Sequence, residues 1–419
     1  IAGESPGGWA IRFNNGSISG TDSDFDIRTA TATSIDLNCA SGNARHLVIN
    51  DASAAVTMET GAITLLGNLT ITAGSLSTGS NLGLTVNGDV NIANGGTLTG
   101  NASAISMNSL TLGESSAGGT YNATSETTTI SGYRSSTNNA IYANGAIVHN
   151  SGTFAFTDSS NYSGIEIQIE SGAGSAGTYF YNLTFSGNST YRFPYYGSND
   201  VTVSGDLTMS GTPDIKQWRR NLIVTGDVTI GDGCVYDCEG SGVAGVSSDF
   251  TAGSLKINSG GTFKASSGTT KITGGNSSTG YSLQNAGTFT HNNGKVLFEF
   301  TPSQNWYSQC NTYYDLELKY GNNSYFMMIT DQSNNAIEVL NNLTVSGGLF
   351  ELYTNSDSLD VYGNTLVTGG ILHANSDQDT NKLTHHGVVT MTGGEIRIND
   401  GTTTKMGGFR KLGGTLTVS

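Results

Sequence analysis

Three near-copies of one phrase constrain this chain more than anything else in it: Val86-Asn-Gly-Asp-Val-Asn-Ile92, Val203-Ser-Gly-Asp-Leu-Thr-Met209 and Val224-Thr-Gly-Asp-Val-Thr-Ile230. A looser echo, Gly-Thr before a large apolar residue, recurs at Gly96-Thr97-Leu98, Gly119-Thr120-Tyr121, Gly152-Thr153-Phe154, Gly177-Thr178-Tyr179, Gly261-Thr262-Phe263, Gly287-Thr288-Phe289 and Gly414-Thr415-Leu416. Each reads as a turn leading into a strand. Equivalent glycines follow one another from Gly205 to Gly226, from Gly347 to Gly369, from Gly369 to Gly393 and from Gly393 to Gly413. Steps of that size, a little over twenty positions, belong to solenoids and arrays.

Within Leu84–Ile92, apolar residues alternate with short polar ones and reset across Asn-Gly-Asp, as a strand, a tight corner and a second strand would. An Asn-Gly or Ser-Gly corner admits positive φ at little cost. Two-residue hairpins also use Asn-Gly, so an antiparallel meander competes. Spacing decides between them, because a hairpin array repeats once per strand whereas the whole phrase here recurs every twenty-odd residues. The expected fold is all-β, a parallel β-helix solenoid with coils of about 20–24 residues. It is read as a single elongated body over 1–419, less regular over 1–66 and regular over 67–419. At about 22 residues per coil and about 4.8 Å per strand spacing, roughly 19 coils give a rod on the order of 90 Å.

Composition agrees with close-stacked strands. The 419 residues include 58 glycines and four prolines, charged residues are only 12%, and the formal net charge is −15. That charge argues against a nucleic-acid partner and against anionic membrane surfaces, and no apolar run is long enough to span a bilayer. Leu, Val, Ile and Phe are expected in interior columns, with Thr and Ser rows outside. Asn and Asp at the Gly-Asp corners then bond between coils, a structural role. The chain starts at Ile1 and closes on a strand-like Gly414-Thr-Leu-Thr-Val-Ser419, so a continuation is expected, from the same polypeptide or from another copy stacked on an open strand edge. Ten Asn-x-Ser/Thr sequons, Asn68, Asn122, Asn182, Asn188 and Asn342 among them, would accept glycans in a secretory system.

The segments Tyr181-Asn-Leu-Thr-Phe-Ser-Gly187, Asn341-Asn-Leu-Thr-Val-Ser-Gly-Gly348 and Gly287-Thr-Phe-Thr-His-Asn-Asn-Gly294 resemble repeat units of bacterial cell-surface, adhesin-like β-helix proteins and of phage tail fibres. The resemblance is one of repeat style from about Gly67 onward. It implies an extracellular, cell-surface or virion-borne fibre; copies of the chain or a longer fibre are expected as partners from the open strand edge, and surface glycans from the aromatic clusters below. It carries over no catalytic residue.

Polysaccharide lyases and hydrolases also use this fold, so catalysis is weighed separately. The Asn-Thr-Asp, Asp-Asp and Gly-His-Gly set of galacturonase-like enzymes is missing from the sequence, and His385-His386-Gly387 lacks an acidic cluster beside it. The expectation is no enzyme and no cofactor. Two acidic runs, Asp22-Ser-Asp24-Phe-Asp26 and Asp377-Gln-Asp379, offer alternating oxygens suited to calcium, the alternative being solvated loops. Aromatic clusters at Tyr195 and Tyr196, at Trp218, and at Trp306 and Tyr307 are the candidate glycan contacts, since such rings stack on sugars and carry a polar edge. Their alternative is to cover a distorted coil. Cys234 and Cys238 are near enough in sequence to suggest a small disulfide loop, whereas Cys39 and Cys310 read as separate buried thiols.

Overall fold

A computed structural model describes residues 11–13, 18–19, 24–27, 33–39, 42–59, 61–113, 118–170, 178–193, 200–218, 220–240, 248–300, 306–321, 326–329, 336–352, 358–373, 382–398 and 403–418, with side chains from Arg45 onward. The chain packs as two compact units, residues 1–220 and 221–419. Both are parallel β-solenoids, together amounting to about 13 turns.

In the first unit, residues in register from coil to coil build apolar columns. Leu47, Leu69, Val90, Leu110, Ile141 and Ile167 follow one another in parallel pairing. A second column runs Ile130, Phe156, Phe185, Met209. Each of these side chains is at most 4% exposed, because alternate residues of a strand face the same side and the large apolar ones are placed on the inner one. Phe156 and Phe185 stack with centroids 4.9 Å apart and planes 13° off parallel. In the second unit Tyr236, Phe263 and Phe289 form the analogous stack, at 5.6 and 5.9 Å, and Val296, Leu316 and Leu343 run beside Phe298, Leu318 and Val345.

Coil length varies more than the expected period. A short coil carries the chain from Lys295 to its partner Asp315. Longer ones run from Thr153 to its partner Asn182 and from Leu110 to its partner Ile141. Inserted residues between strands explain why there are about 13 turns and fewer than a uniform short period implies.

The corner phrase works differently from the positive-φ reading. Gly88 and Gly205 lie outside the left-handed region, and their requirement is space: a Cβ on Gly88 would stand 2.2 Å from Asn68 Oδ1, and one on Gly205 2.3 Å from Asn182 Oδ1. Those asparagines are the corner residues one coil earlier. Asn68 Oδ1 accepts the N–H of Asp89, the residue after Gly88, at 3.0 Å. Left-handed glycine occurs at the second position of Gly-Gly pairs instead, as at Gly394 (φ 66°), whose absent Cβ admits the Gly370 carbonyl.

Candidate functional site

The outer face of the first unit gathers polar and aromatic side chains on rigid strands. Strands Ile105–Leu112, Asn139–Ala143 and Ile165–Ile169 pair in parallel and place Thr111, Tyr142 and Gln168 in register. Their strand neighbours, Leu110, Leu112, Ile141, Ala143, Ile167 and Ile169, are all in the core, so alternation turns this column outward. Thr111 is nevertheless only 2% exposed, because a turn overhangs it.

That turn is the insert of the long coil between Leu110 and Ile141. Arg134 N–H donates to the Asn139 carbonyl at 2.8 Å, and Thr137 and Asn138 N–H groups donate back to the Arg134 carbonyl at 3.1 and 2.7 Å. Asn138 adopts φ 62°, a conformation asparagine tolerates in tight turns. The base is anchored where Ser131 and Gly132 N–H groups bond the Met107 and Asn108 carbonyls. Beneath the overhang lies a cavity of about 450 Å³ lined by Thr111, Arg134, Thr137, Asn139, Tyr142 and Gln168. Asn139 is 5% exposed and its Oδ1 accepts no hydrogen bond. Gln168 Nε2 donates to the Glu170 carboxylate, which fixes its amide. Burial and the nearby Glu170 charge both raise the Tyr142 phenol above its ordinary range.

A second outward row runs alongside through Asn139, Glu166, Arg192 and Lys216. Burial raises the Glu166 carboxyl, and Arg192 opposes that shift. Arg192 donates to the Ser163 carbonyl at 2.8 Å and holds its guanidinium 5.0 Å from the centroid of the Trp218 ring, a cation–π geometry. Tyr133 and Tyr162 stack at 4.6 Å, 15° from parallel.

Of the residues expected from sequence, Trp218 therefore belongs to this face, with one side of the indole already taken by Arg192. Tyr195 and Tyr196 lie outside the described residues. Trp306 is 9% exposed, and a Cβ on Gly275 would come within 2.2 Å of its ring, so this indole covers a coil. Tyr307 is half-buried beside Tyr281, centroids 5.7 Å apart. Asp22, Asp377 and Asp379 lie outside the described residues. Asp24 and Asp26 stand in a strand, Asp24–Ile27, paired with His46–Ile49, rather than in a loop. Among the described residues no group of three or more His, Cys, Asp or Glu is placed to hold a metal.

The disulfide expectation is corrected: Cys234 and Cys238 are buried thiols that no disulfide joins. They flank the strand Val235–Asp237 and alternate with buried Tyr236 on one face. Four residues of extended chain separate their Cα atoms by about 13 Å, nearly twice the reach of a disulfide. Burial raises both thiols. Cys310 is a buried thiol, as expected of it.

Arg134, Asn139, Tyr142 and Gln168 are not among the residues that the sequence singles out. Their signal is the stretch Gly132-Tyr-Arg-Ser-Ser-Thr-Asn-Asn139, which interrupts the apolar alternation and lengthens one coil. No protein family, curated protein or solved structure matches this chain.

Proposed function

We propose that this chain is a non-enzymatic structural and adhesive protein of an extracellular fibre, at a cell surface or on a virion, whose stacked coils give stiffness while a side face meets surface glycans. The observation that carries the reading is the outward column Thr111, Tyr142, Gln168 beneath the Arg134–Asn139 turn. It is concave, its floor of Thr111, Tyr142 and Gln168 is mounted on strands and its roof is a hydrogen-bonded turn, so polar groups are held in place around a partly apolar surface, as a preorganised binding site requires. Copies of the chain, or the rest of a longer fibre, are its other partners.

The rival reading, a polysaccharide hydrolase, meets an obstacle in carboxylate spacing. Glu166 and Glu170 on this face have Cα atoms about 13 Å apart along one extended segment, and Glu170 is bonded to Gln168 while Glu166 lies in register with Arg192, so neither is arranged with the other across one bond as glycoside hydrolysis needs, with carboxyl groups roughly 5–9.5 Å apart. Electron microscopy of native material is expected to show fibres. Incubation with a panel of plant, bacterial and marine polysaccharides is expected to give binding without new reducing or unsaturated ends. Release of such ends, abolished by Glu166→Gln, would replace the adhesive reading with an enzymatic one.

A further inference from the structure

We propose that the cavity beneath the Arg134–Asn139 turn is a subsite for one uncharged, hydroxyl-rich unit of a saccharide. The proposal rests on the adhesive reading above and gives it a place and a ligand chemistry.

Size comes first. About 450 Å³ lies within the range of small-molecule sites and is bounded by a wall in which only Arg134 is charged. The chemistry of that wall is mixed in a particular way. Thr111 and Thr137 hydroxyls can donate or accept, the Tyr142 phenol likewise, and the two amides carry one donor group and one acceptor each. A sugar hydroxyl is also both donor and acceptor, so it is satisfied by a wall of this kind, whereas an apolar ligand would leave the polar groups unpaired.

The two amides play different parts. Gln168 commits Nε2 to Glu170, which leaves Oε1 as an oriented acceptor. Asn139 Oδ1 is buried without a hydrogen-bond partner, so no bond on that side pins the amide, and a half-turn about its last side-chain bond exchanges oxygen and nitrogen. Tyr142 adds a ring surface in the same column, suited to the C–H face of a pyranose.

Charge selects against acidic sugars. The Glu170 carboxylate is bonded to Gln168 and opposes ionisation of Tyr142, so the Gln168–Tyr142 side of the wall is negative, while Arg134 is the wall's one cation. Glu166 is in register with Asn139, and the chain as a whole carries −15. A uronate or sulfated unit would meet the Glu170 carboxylate on this side, the Glu166 charge being offset by Arg192 in register with it, and an uncharged unit meets none of that repulsion.

Affinity electrophoresis tests this with dextran, galactan and galactomannan as neutral probes and polygalacturonate and chondroitin sulfate as anionic ones. The expected result is retardation by at least one neutral polysaccharide and by neither anionic one, with Tyr142→Ala and Gln168→Ala each weakening it fivefold or more. Both positions face outward, so unchanged circular dichroism and melting temperature are expected in the variants. Retardation that survives both substitutions but is lost in Trp218→Ala overturns the subsite and leaves the adhesive reading standing. Retardation by the anionic probes alone overturns the charge selection and with it the subsite. No retardation of the unaltered protein by any probe overturns the subsite and the adhesive reading together.

Discussion

The side-chain oxygen of Asn182 accepts the backbone N–H of Asp206, one coil further on, at 2.9 Å. The same relation joins Asn68 to Asp89 at 3.0 Å, Asn221 to Asp249 at 2.8 Å, Asn342 to Asn364 at 3.0 Å and Asn364 to Val388 at 3.0 Å. At a corner the chain changes direction and its N–H groups leave the strand ladder. A short amide from the preceding coil supplies the acceptor that the ladder no longer offers.

Breaking this relation has a graded cost. Asn182→Ala removes the acceptor but leaves the Asp206 N–H open to water, so the loss is about 0.5–1.5 kcal/mol. Gly205→Ala should cost more, because its methyl would stand 2.3 Å from Asn182 Oδ1 and must displace the amide or the backbone. Urea denaturation measures both, and amide hydrogen exchange at Asp206 should accelerate in each variant. Equal stability in the two variants and the parent would remove the corner amide from the account of the fold.

Acid should weaken the second unit through one histidine. His385 occupies a core column between Val361 and Met406, is 1% exposed, and bonds the buried Thr365 hydroxyl through Nδ1 at 2.6 Å. Burial, assisted by neighbouring His386, lowers its pKa from 6.5 to about 4. The folded state therefore prefers the neutral ring, and the unfolded state takes up the proton first as pH falls. Its contribution is intact above pH 6.5 and lost progressively down to about pH 4, amounting to about 3 kcal/mol. Urea titrations at pH 7 and pH 4 should show the fall. The double variant His385→Met with Thr365→Val, which removes both polar partners together, should flatten it; an unchanged acid slope in that variant would assign the effect elsewhere.

Cys234, Cys238 and Cys310 should all resist thiol reagents in the native protein and react on denaturation. Their thiols are buried and raised, Cys310 to about 12, so the thiolate that attacks such reagents is scarce at neutral pH. Mass spectrometry of the alkylated native protein checks this, and a recovered Cys234–Cys238 disulfide would contradict the separation of about 13 Å argued above.

Much of the fold is legible in the sequence because it depends on repetition. Val86, Val203 and Val224 recur with their Gly-Asp corners, and each sits in the core, so the phrase, the period and the inward column coincide. The cysteine pair misleads because nearness in sequence is not nearness in space; extended chain converts four residues into the longest separation they can have. The cavity is hidden for a related reason. Thr111, Tyr142 and Gln168 are far apart in sequence and meet only through register, and register across an irregular insert cannot be counted from a period. Trp306 has the residue type of a ligand contact, yet the bare backbone at Gly275 gives its ring a place to lie flat.

The unequal coils have a further consequence. Leu110 lies over Ile141 at the end of a long coil and Val296 over Leu316 at the end of a short one, and in both cases one apolar side chain lands on the next. Interior order thus sets no limit on what hangs from the corners. Under the proposed reading, replacing the overhang at 133–138 with another segment would change what the surface meets while the hydrophobic columns stay as they are.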